Sequence, residues 1–172
     1  MIRRGATTFW EVFDPQTPPG RLPDRLWSLC HAFCAGPVCS LPAHVLGVQP
    51  LEAGFSRARI QPQHADLRWA RGTVPTPLGP IDVNWRRGDD GIRFELEVGW
   101  PAGMAVELSA PVFHRSTPAV IVDGETVIDG HRSADGATVP GRSDGAVEFR
   151  GSRAIINRSA LDQPQRCLIV TC

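Results

Sequence analysis

The stretch of sequence that decides the fold is residues 81–98, IDVNWRRGDDGIRFELEV. Apolar and polar residues alternate in both halves of it. The apolar positions are Ile81, Val83 and Trp85, then Ile92, Phe94, Leu96 and Val98. A period of two is typical of antiparallel strands that have one face on a core and the other in water, and Arg93, Glu95 and Glu97 mark the wet face. The segment therefore predicts two neighbouring strands.

Runs of the same period continue on both sides of this segment. They are Leu67, Trp69 and Arg71; Met104, Val106, Leu108 and Ala110; residues 119–122 and 126–128 around Asp123-Gly124-Glu125; Val147 and Phe149; and residues 167–170. Residues 77–80 (PLGP) predict a turn, and residues 130–145, rich in Gly, Ser, Asp and Arg, predict a long loop. Because no helical pattern separates these short strands, we expect a β-sandwich or jelly roll.

Before residue 48 the apolar spacing is helical. Leu22, Leu26, Leu29, Cys30 and Phe33 recur at intervals of three and four, which predicts a helix over 22–35 with a buried face. Gly36-Pro37 is expected to end it and to open a second helix that runs to about residue 46 and stops at Gly47. Pro42 falls inside that second helix and should kink it, because proline cannot donate a backbone hydrogen bond.

Composition excludes several classes of function. Eighteen basic and eighteen acidic residues cancel in the 172-residue chain, so no global field attracts nucleic acid or anionic lipid, and neither is an expected partner. No apolar run is long enough for a membrane span, and no export signal follows Met1. The five cysteines form neither a disulfide framework nor a zinc finger. Reduced thiols and the lack of a signal favour a cytoplasmic location.

Residues 5–11, GATTFWE, hold the strongest candidate for chemistry. Glu11 follows two aromatic residues, which can stack on a sugar ring and can raise a carboxyl pKa towards the range useful for proton transfer. A structural interpretation is also open, in which Thr8 caps a helix whose first turn contains Glu11. Spacing alone favours this second interpretation.

Cys30, His31 and Cys34 suggest a metal site, since positions i and i+4 share a helix face. A third or fourth ligand at suitable spacing is lacking, and cysteines among apolar neighbours are typical core fillers. We therefore expect no metal and no cofactor.

An ordered series of motifs resembles the C-terminal part of bacterial α-L-rhamnosidases, glycoside hydrolase family 78. The motifs are residues 5–11, 28–31, 35–37, 45–55, 60–62 and 72–81. The resemblance covers roughly the first 110 residues well and the remainder loosely. It implies a mainly β fold, in which a C-terminal antiparallel, jelly-roll-like β-sandwich follows two to three helices from the end of an (α/α)6 barrel. Residues 1–47 would be the incomplete end of the catalytic barrel and residues 48–172 the sandwich domain.

The same resemblance implies roles for three residues. Glu11 matches the general base of an inverting glycosidase, whose two carboxyl groups stand about 6.5–9.5 Å apart with one activating water and the other protonating the leaving oxygen. His31 matches a histidine of the rhamnose pocket, and Trp10 would help to shape that pocket. Asp14 is a weaker candidate, expected instead to cap or solvate the turn before Pro15. The family's general acid lies upstream of the matching region, so the chain is expected to be a fragment that is inactive alone. Its partners would be a rhamnose-containing glycoside and the missing N-terminal part of the barrel.

Two other functions remain open. The sandwich can be a non-catalytic carbohydrate-binding or scaffold module, with Trp69, Trp85 and Trp100 as possible stacking platforms, although the alternation of apolar positions predicts that Trp69 and Trp85 face the core. The chain can also be a truncated reading frame without an independent role, whose unpartnered helices would expose a surface prone to association.

Overall fold

The computed structural model describes residues 5–11, 28–113, 120–122, 125–128, 138–139, 147–150, 153–159 and 165–171. The chain divides into two compact units, Met1–Leu41 and Pro42–Cys172. No helix among the described residues is long and apolar enough to cross a membrane.

The helical part of the chain is shorter and less regular than predicted. A 3₁₀ turn spans Ala32–Ala35, helix α1 spans Gly36–Ser40, and a π-helical turn spans Leu41–Val45. Helical backbone thus ends before Gly47, as expected, and regular α-helix gives way to the wider turn where Pro42 has no N–H to donate. Gly36 has right-handed helical φ and ψ angles, so it continues the helical run and does not separate two helices.

The predicted helix over 22–35 is wrong for residues 28–31, and residues 32–35 form only a 3₁₀ turn. Residues 22–27 lie outside the described residues. Residues 28–31 are not helical because their backbone pairs with another segment: Glu11 N–H donates to Ser28 O at 2.9 Å, and His31 N–H donates to Phe9 O at 2.7 Å. Phe33 is 91% exposed, so it is not part of a buried stripe.

The second unit contains twelve described strands. They are β1 Val48–Pro50, β2 Arg57–Ile60, β3 Trp69–Val74, β4 Ile81–Arg87, β5 Phe94–Trp100, β6 Ala105–Pro111, β7 Val120–Val122, β8 Glu125–Ile128, β9 Thr138–Val139, β10 Val147–Arg150, β11 Arg153–Arg158 and β12 Gln165–Thr171. A short 3₁₀ turn, Ala53–Phe55, connects β1 to β2. The predicted strands are confirmed in this unit, whereas β1, β2 and β11 were not predicted and β9 lies inside the predicted loop.

The strands form two six-stranded sheets. The first has the order β1-β2-β6-β11-β10-β9 and the second the order β3-β4-β5-β12-β7-β8. All pairs are antiparallel except β2 with β6. Alternate residues of β4, β5 and β12 pack against residues of β2, β6 and β11 to form the core. The mainly β, sandwich-type fold expected from the sequence is confirmed.

Strand β3 faces the opposite way from the prediction. Trp69 is 66% exposed, while Ala70 and Val74 pack against the core. The space beneath Gly72 is already filled, because a Cβ there would lie 2.7 Å from a methyl of Leu46. Small residues therefore face inward on β3, and the large indole of Trp69 faces solvent.

The other two tryptophans of the sandwich are not surface platforms. Trp85 is completely buried, stacks on Phe94 with ring centroids 5.6 Å apart, and donates its indole N–H to Val45 O at 2.8 Å. Trp100 is also buried. Only Trp69 of these three can meet a ligand from solvent.

Candidate active site

The candidate site lies in the first unit, where residues 5–11 run beside residues 28–31. Besides the two backbone hydrogen bonds described above, the Thr8 hydroxyl donates to Leu29 O. The interpretation of Thr8 as the cap of a helix that carries Glu11 is therefore wrong: residues 5–11 are not helical, and the hydroxyl is used between segments. This pairing brings Glu11 and His31 together although they are far apart in the chain.

The carboxylate of Glu11 is held at one oxygen. Its Oε2 accepts the Ser28 backbone N–H at 2.9 Å and lies 3.6 Å from His31 Nδ1. The longer separation suits an ion pair when the imidazole is protonated, but it is too long for a direct hydrogen bond. The Glu11 and His31 side chains are 31% and 27% exposed, so both reach solvent. The described residues supply no hydrogen bond to Oε1.

The surroundings of His31 are aromatic and sulfur-bearing. Phe33 meets the imidazole edge to face, with ring centroids 5.2 Å apart, and the Cys34 thiol lies 3.7 Å from the backbone oxygen of Glu11. Such ring contacts help to fix the orientation of an imidazole. Neither contact was predicted, because Phe33 had been assigned to a core stripe.

The remaining predicted residues are not joined to this pair. Trp10 is half-buried, and no described hydrogen bond or ring contact connects it to Glu11 or His31. Asp14 lies outside the described residues. Within the part of the chain that the structure describes, no three His, Cys, Asp or Glu side chains are placed to hold a metal ion.

Comparison with known proteins gives a consistent family. The sequence model described as "Bacterial alpha-L-rhamnosidase C-terminal domain" matches residues 47–120. An α-L-rhamnosidase of Alteromonas sp. (strain LOR) is 33% identical over 129 residues, which cover 73% of this chain and 14% of that protein. The chain thus spans about one seventh of this relative's length.

Solved structures show the same fold. The α-L-rhamnosidase from Dictyoglumus thermophilum matches 98% of this chain and 17% of its own, with a TM-score of 0.71 and 19% identity. The Streptomyces avermitilis α-L-rhamnosidase complexed with L-rhamnose matches 98% of this chain and 14% of its own, with a TM-score of 0.68 and 22% identity.

Two packed six-stranded sheets, antiparallel except for one pair, define a β-sandwich domain. This chain belongs to the bacterial α-L-rhamnosidase family and carries its C-terminal domain.

Proposed function

We propose that this chain is the C-terminal part of an inverting glycoside hydrolase that releases terminal α-L-rhamnose from rhamnosides. In this proposal residues 1–47 complete a catalytic (α/α)6 barrel, and residues 48–172 form the sandwich that follows it. The family match and the L-rhamnose bound by the Streptomyces relative support rhamnose as the sugar.

The observation that carries the proposal is the geometry of Glu11. One carboxylate oxygen accepts the Ser28 amide, and the other makes no hydrogen bond to the described residues. A general base needs this combination, because one fixed oxygen orients the group while the other accepts a proton from water. Glu11 is the proposed base.

His31 and Trp10 are proposed to contact the sugar. An imidazole offers one donor and one acceptor when neutral, which suits a sugar hydroxyl, and His31 lies within 3.6 Å of the proposed base. Trp10 precedes Glu11 directly and supplies an apolar surface for the ring.

The chain alone is proposed to be inactive. Inverting hydrolysis needs a second carboxyl group to protonate the leaving oxygen. Within the described residues, Glu11 is the candidate base and no second carboxyl group contacts it. The acid would come from barrel sequence upstream of the region that the family motifs match.

A chimera tests the assignment. The chain replaces the matching C-terminal part of the Alteromonas relative, and release of p-nitrophenol from p-nitrophenyl α-L-rhamnoside is measured. We expect the chimera to hydrolyse this substrate. Glu11→Gln should lower its kcat by about 10²–10⁴-fold, the usual contribution of a general base. Asp14→Asn, a carboxylate three residues further along, is the matched control and should leave kcat nearly unchanged.

Two results would contradict the proposal. Full activity of the Glu11→Gln chimera would remove Glu11 from catalysis. The second result is hydrolysis of the rhamnoside by the purified 172-residue chain, abolished by Glu11→Ala. It would show that the chain does not need an external acid.

A further inference from the structure

The outer face of the second sheet carries an ordered set of polar side chains. Strand register places three rows across it: Thr73 with Asp82 and Gly99, Arg71 with Asn84 and Glu97, and Trp69 with Arg86 and Glu95. All these residues alternate with core positions, so they point away from the sandwich interior. We call this surface the outer groove.

The outer groove contains two adjoining depressions. One has a volume of about 510 Å³ and is lined by Arg71, Thr73, Asp82, Asn84, Glu97 and Gly99 among others. The other has about 360 Å³ and is lined by Trp69, Asn84, Arg86, Glu95, Glu97 and Leu168. They share Asn84 and Glu97, which are joined by a hydrogen bond of 3.3 Å. Each lies in the size range of small-ligand sites, and together they form a continuous track.

Trp69 is the largest apolar side chain of this track, and Leu168 is a second one. The Trp69 indole is 66% exposed at the edge strand β3, beside a depression that is otherwise lined by Asn84, Arg86, Glu95 and Glu97. An exposed tryptophan loses the stabilisation that its burial would give. The inner face of β3 is occupied by Ala70, Gly72 and Val74 instead. An exposed indole next to planar hydrogen-bonding groups offers a ligand one flat apolar contact and several polar ones.

The charges of the outer groove select among ligands. Among its described side chains the outer groove has two arginines, Arg71 and Arg86, and three carboxylates, Asp82, Glu95 and Glu97. Glu95 is also paired with Arg93, at 2.8 Å. A face on which positive and negative groups are interspersed in this way does not attract phosphate backbones. Its described apolar side chains are few, Trp69 and Leu168, unlike those of the core of a protein interface. A neutral ligand rich in hydroxyl groups fits both properties.

We propose that the outer groove binds a neutral hexopyranose oligosaccharide, with one ring stacked on Trp69 and the next hydrogen-bonded to Asn84, Asp82 and Arg71. Sugar hydroxyl groups both donate and accept hydrogen bonds. Arg71 and the Asn84 amide group can donate to them, and the Asp82 carboxylate and the Asn84 side-chain oxygen can accept from them. The site uses residues of β3, β4, β5 and β12 and needs none from the first unit. It would hold a saccharide without acting on it, which goes beyond the proposed hydrolytic function and does not depend on it.

Titration of the whole 172-residue chain with L-rhamnose, D-galactose and cellohexaose tests this proposal by two-dimensional NMR. We expect saturable shifts of the Trp69 indole and the Asn84 side-chain amide with at least one of these sugars, at a Kd of about 1 mM or tighter. Trp69→Ala should weaken that binding roughly five- to tenfold or more, and Asn84→Ala should also weaken it. Circular dichroism confirms that each variant remains folded.

Leu78→Ala is the matched control, because Leu78 is also an exposed apolar residue but lies on the β3–β4 turn outside the groove. It should leave the affinity unchanged. No saturable shift up to about 50 mM sugar would overturn the proposal. So would binding whose affinity is unaltered in folded Trp69→Ala. Neither result would bear on Glu11, which the chimera tests separately.

Discussion

At the scale of single residues, Gly47 has the strictest backbone requirement described in the chain. Its φ is +81°, it is buried, and its carbonyl accepts the Gln61 N–H at 2.9 Å. A Cβ at this position would overlap the backbone of Gln61 and Pro62. Glycine therefore ends the helical run and permits the close approach of the segment after β2.

The substitutions Gly47→Ala and Gly103→Ala distinguish two ways in which replacing glycine destabilises the fold. One is backbone strain at positive φ, and the other is a steric clash of the added Cβ. Gly103 also has positive φ, +76°, but open space surrounds its missing Cβ. We expect Gly103→Ala to lower the free energy of unfolding by about 1 kcal/mol through backbone strain alone. Gly47→Ala adds a backbone clash and should cost more than about 3 kcal/mol. Urea unfolding measures both, and equal losses would show that the backbone at residues 61–62 moves aside cheaply.

The tryptophans show what residue-scale prediction could and could not do. Alternation correctly identified Trp85 as a core residue, because its strand has large apolar side chains on one face only. The same rule failed for Trp69, since β3 alternates large residues with Ala70, Gly72 and Val74 and either face can be apolar. Leu46, from outside the strand, decides the question by occupying the space under Gly72. A contact between distant parts of the chain is not present in a local pattern.

At the scale of elements, two of the missed strands depart from the alternating apolar pattern in different ways. In β11, Ala154, Ile155 and Ile156 are all buried, so the strand has no alternation to detect. In β2, the apolar positions are only Ala58 and Ile60, and they alternate with two arginines. One of these, Arg59, pairs with Glu107 of β6 at 2.7 Å, so a strand rich in charge is stabilised by its neighbour.

The turn between β4 and β5 depends on Asp90. Its Oδ1 accepts the backbone N–H groups of Ile92 at 2.8 Å and Arg93 at 3.1 Å, and these hydrogen bonds, first that of Ile92, lower the pKa of the carboxyl below its ordinary value of 3.8. A carboxyl whose pKa is lower in the folded state stabilises the fold above its unfolded pKa. That stabilisation is lost as the pH falls through the folded pKa.

Asp90→Ala should therefore lower the melting temperature by a few degrees at most at neutral pH. The difference from the unsubstituted chain should shrink as the pH falls below 3.8, the ordinary pKa of this carboxyl. Asp89→Ala is the control, because Asp89 makes a surface ion pair with Arg68 and should contribute little at any pH. Thermal melts followed by circular dichroism across the acid range measure both. An Asp90 effect that is constant with pH would exclude the ionised carboxylate as its cause.

At the scale of the whole molecule, the candidate site shows the limit of sequence reasoning. Resemblance supplied Glu11, His31 and Trp10, but it did not supply the contact between Glu11 and His31. That contact arises from backbone pairing of residues 9–11 with residues 28–31. The first segment has no strand or helix pattern, and the second lies in a stretch whose spacing predicted a helix. The Ser28 amide that holds the carboxylate was missed for the same reason, although Ser28 begins one of the quoted motifs.

The first unit also exposes apolar side chains that favour association. Phe33, Val38 and Leu41 are all mainly exposed, and Leu29 is partly so. Exposed apolar surface drives self-association at high concentration. The double substitution of Val38→Ser with Leu41→Ser should weaken association by about fivefold or more, as measured by sedimentation equilibrium at several loading concentrations. The double substitution of Leu51→Ser with Leu78→Ser removes comparable exposed leucines from the sandwich and should not weaken association. Equal effects of the two pairs would place the association surface elsewhere.

The order of strands in the second sheet has a consequence for how the sandwich is assembled. Strand β12 lies between β5 and β7, and it joins Gln165 to Trp100 across a long intervening chain. The meander β3-β4-β5 can form early from local contacts, but one side of β5 keeps unpaired amides and carbonyls until residues 165–171 arrive. Closing so long a loop is slow relative to hairpin formation, and an open strand edge invites pairing with another chain. During synthesis, the middle of this sheet is therefore its last part to be completed and the part most in need of protection.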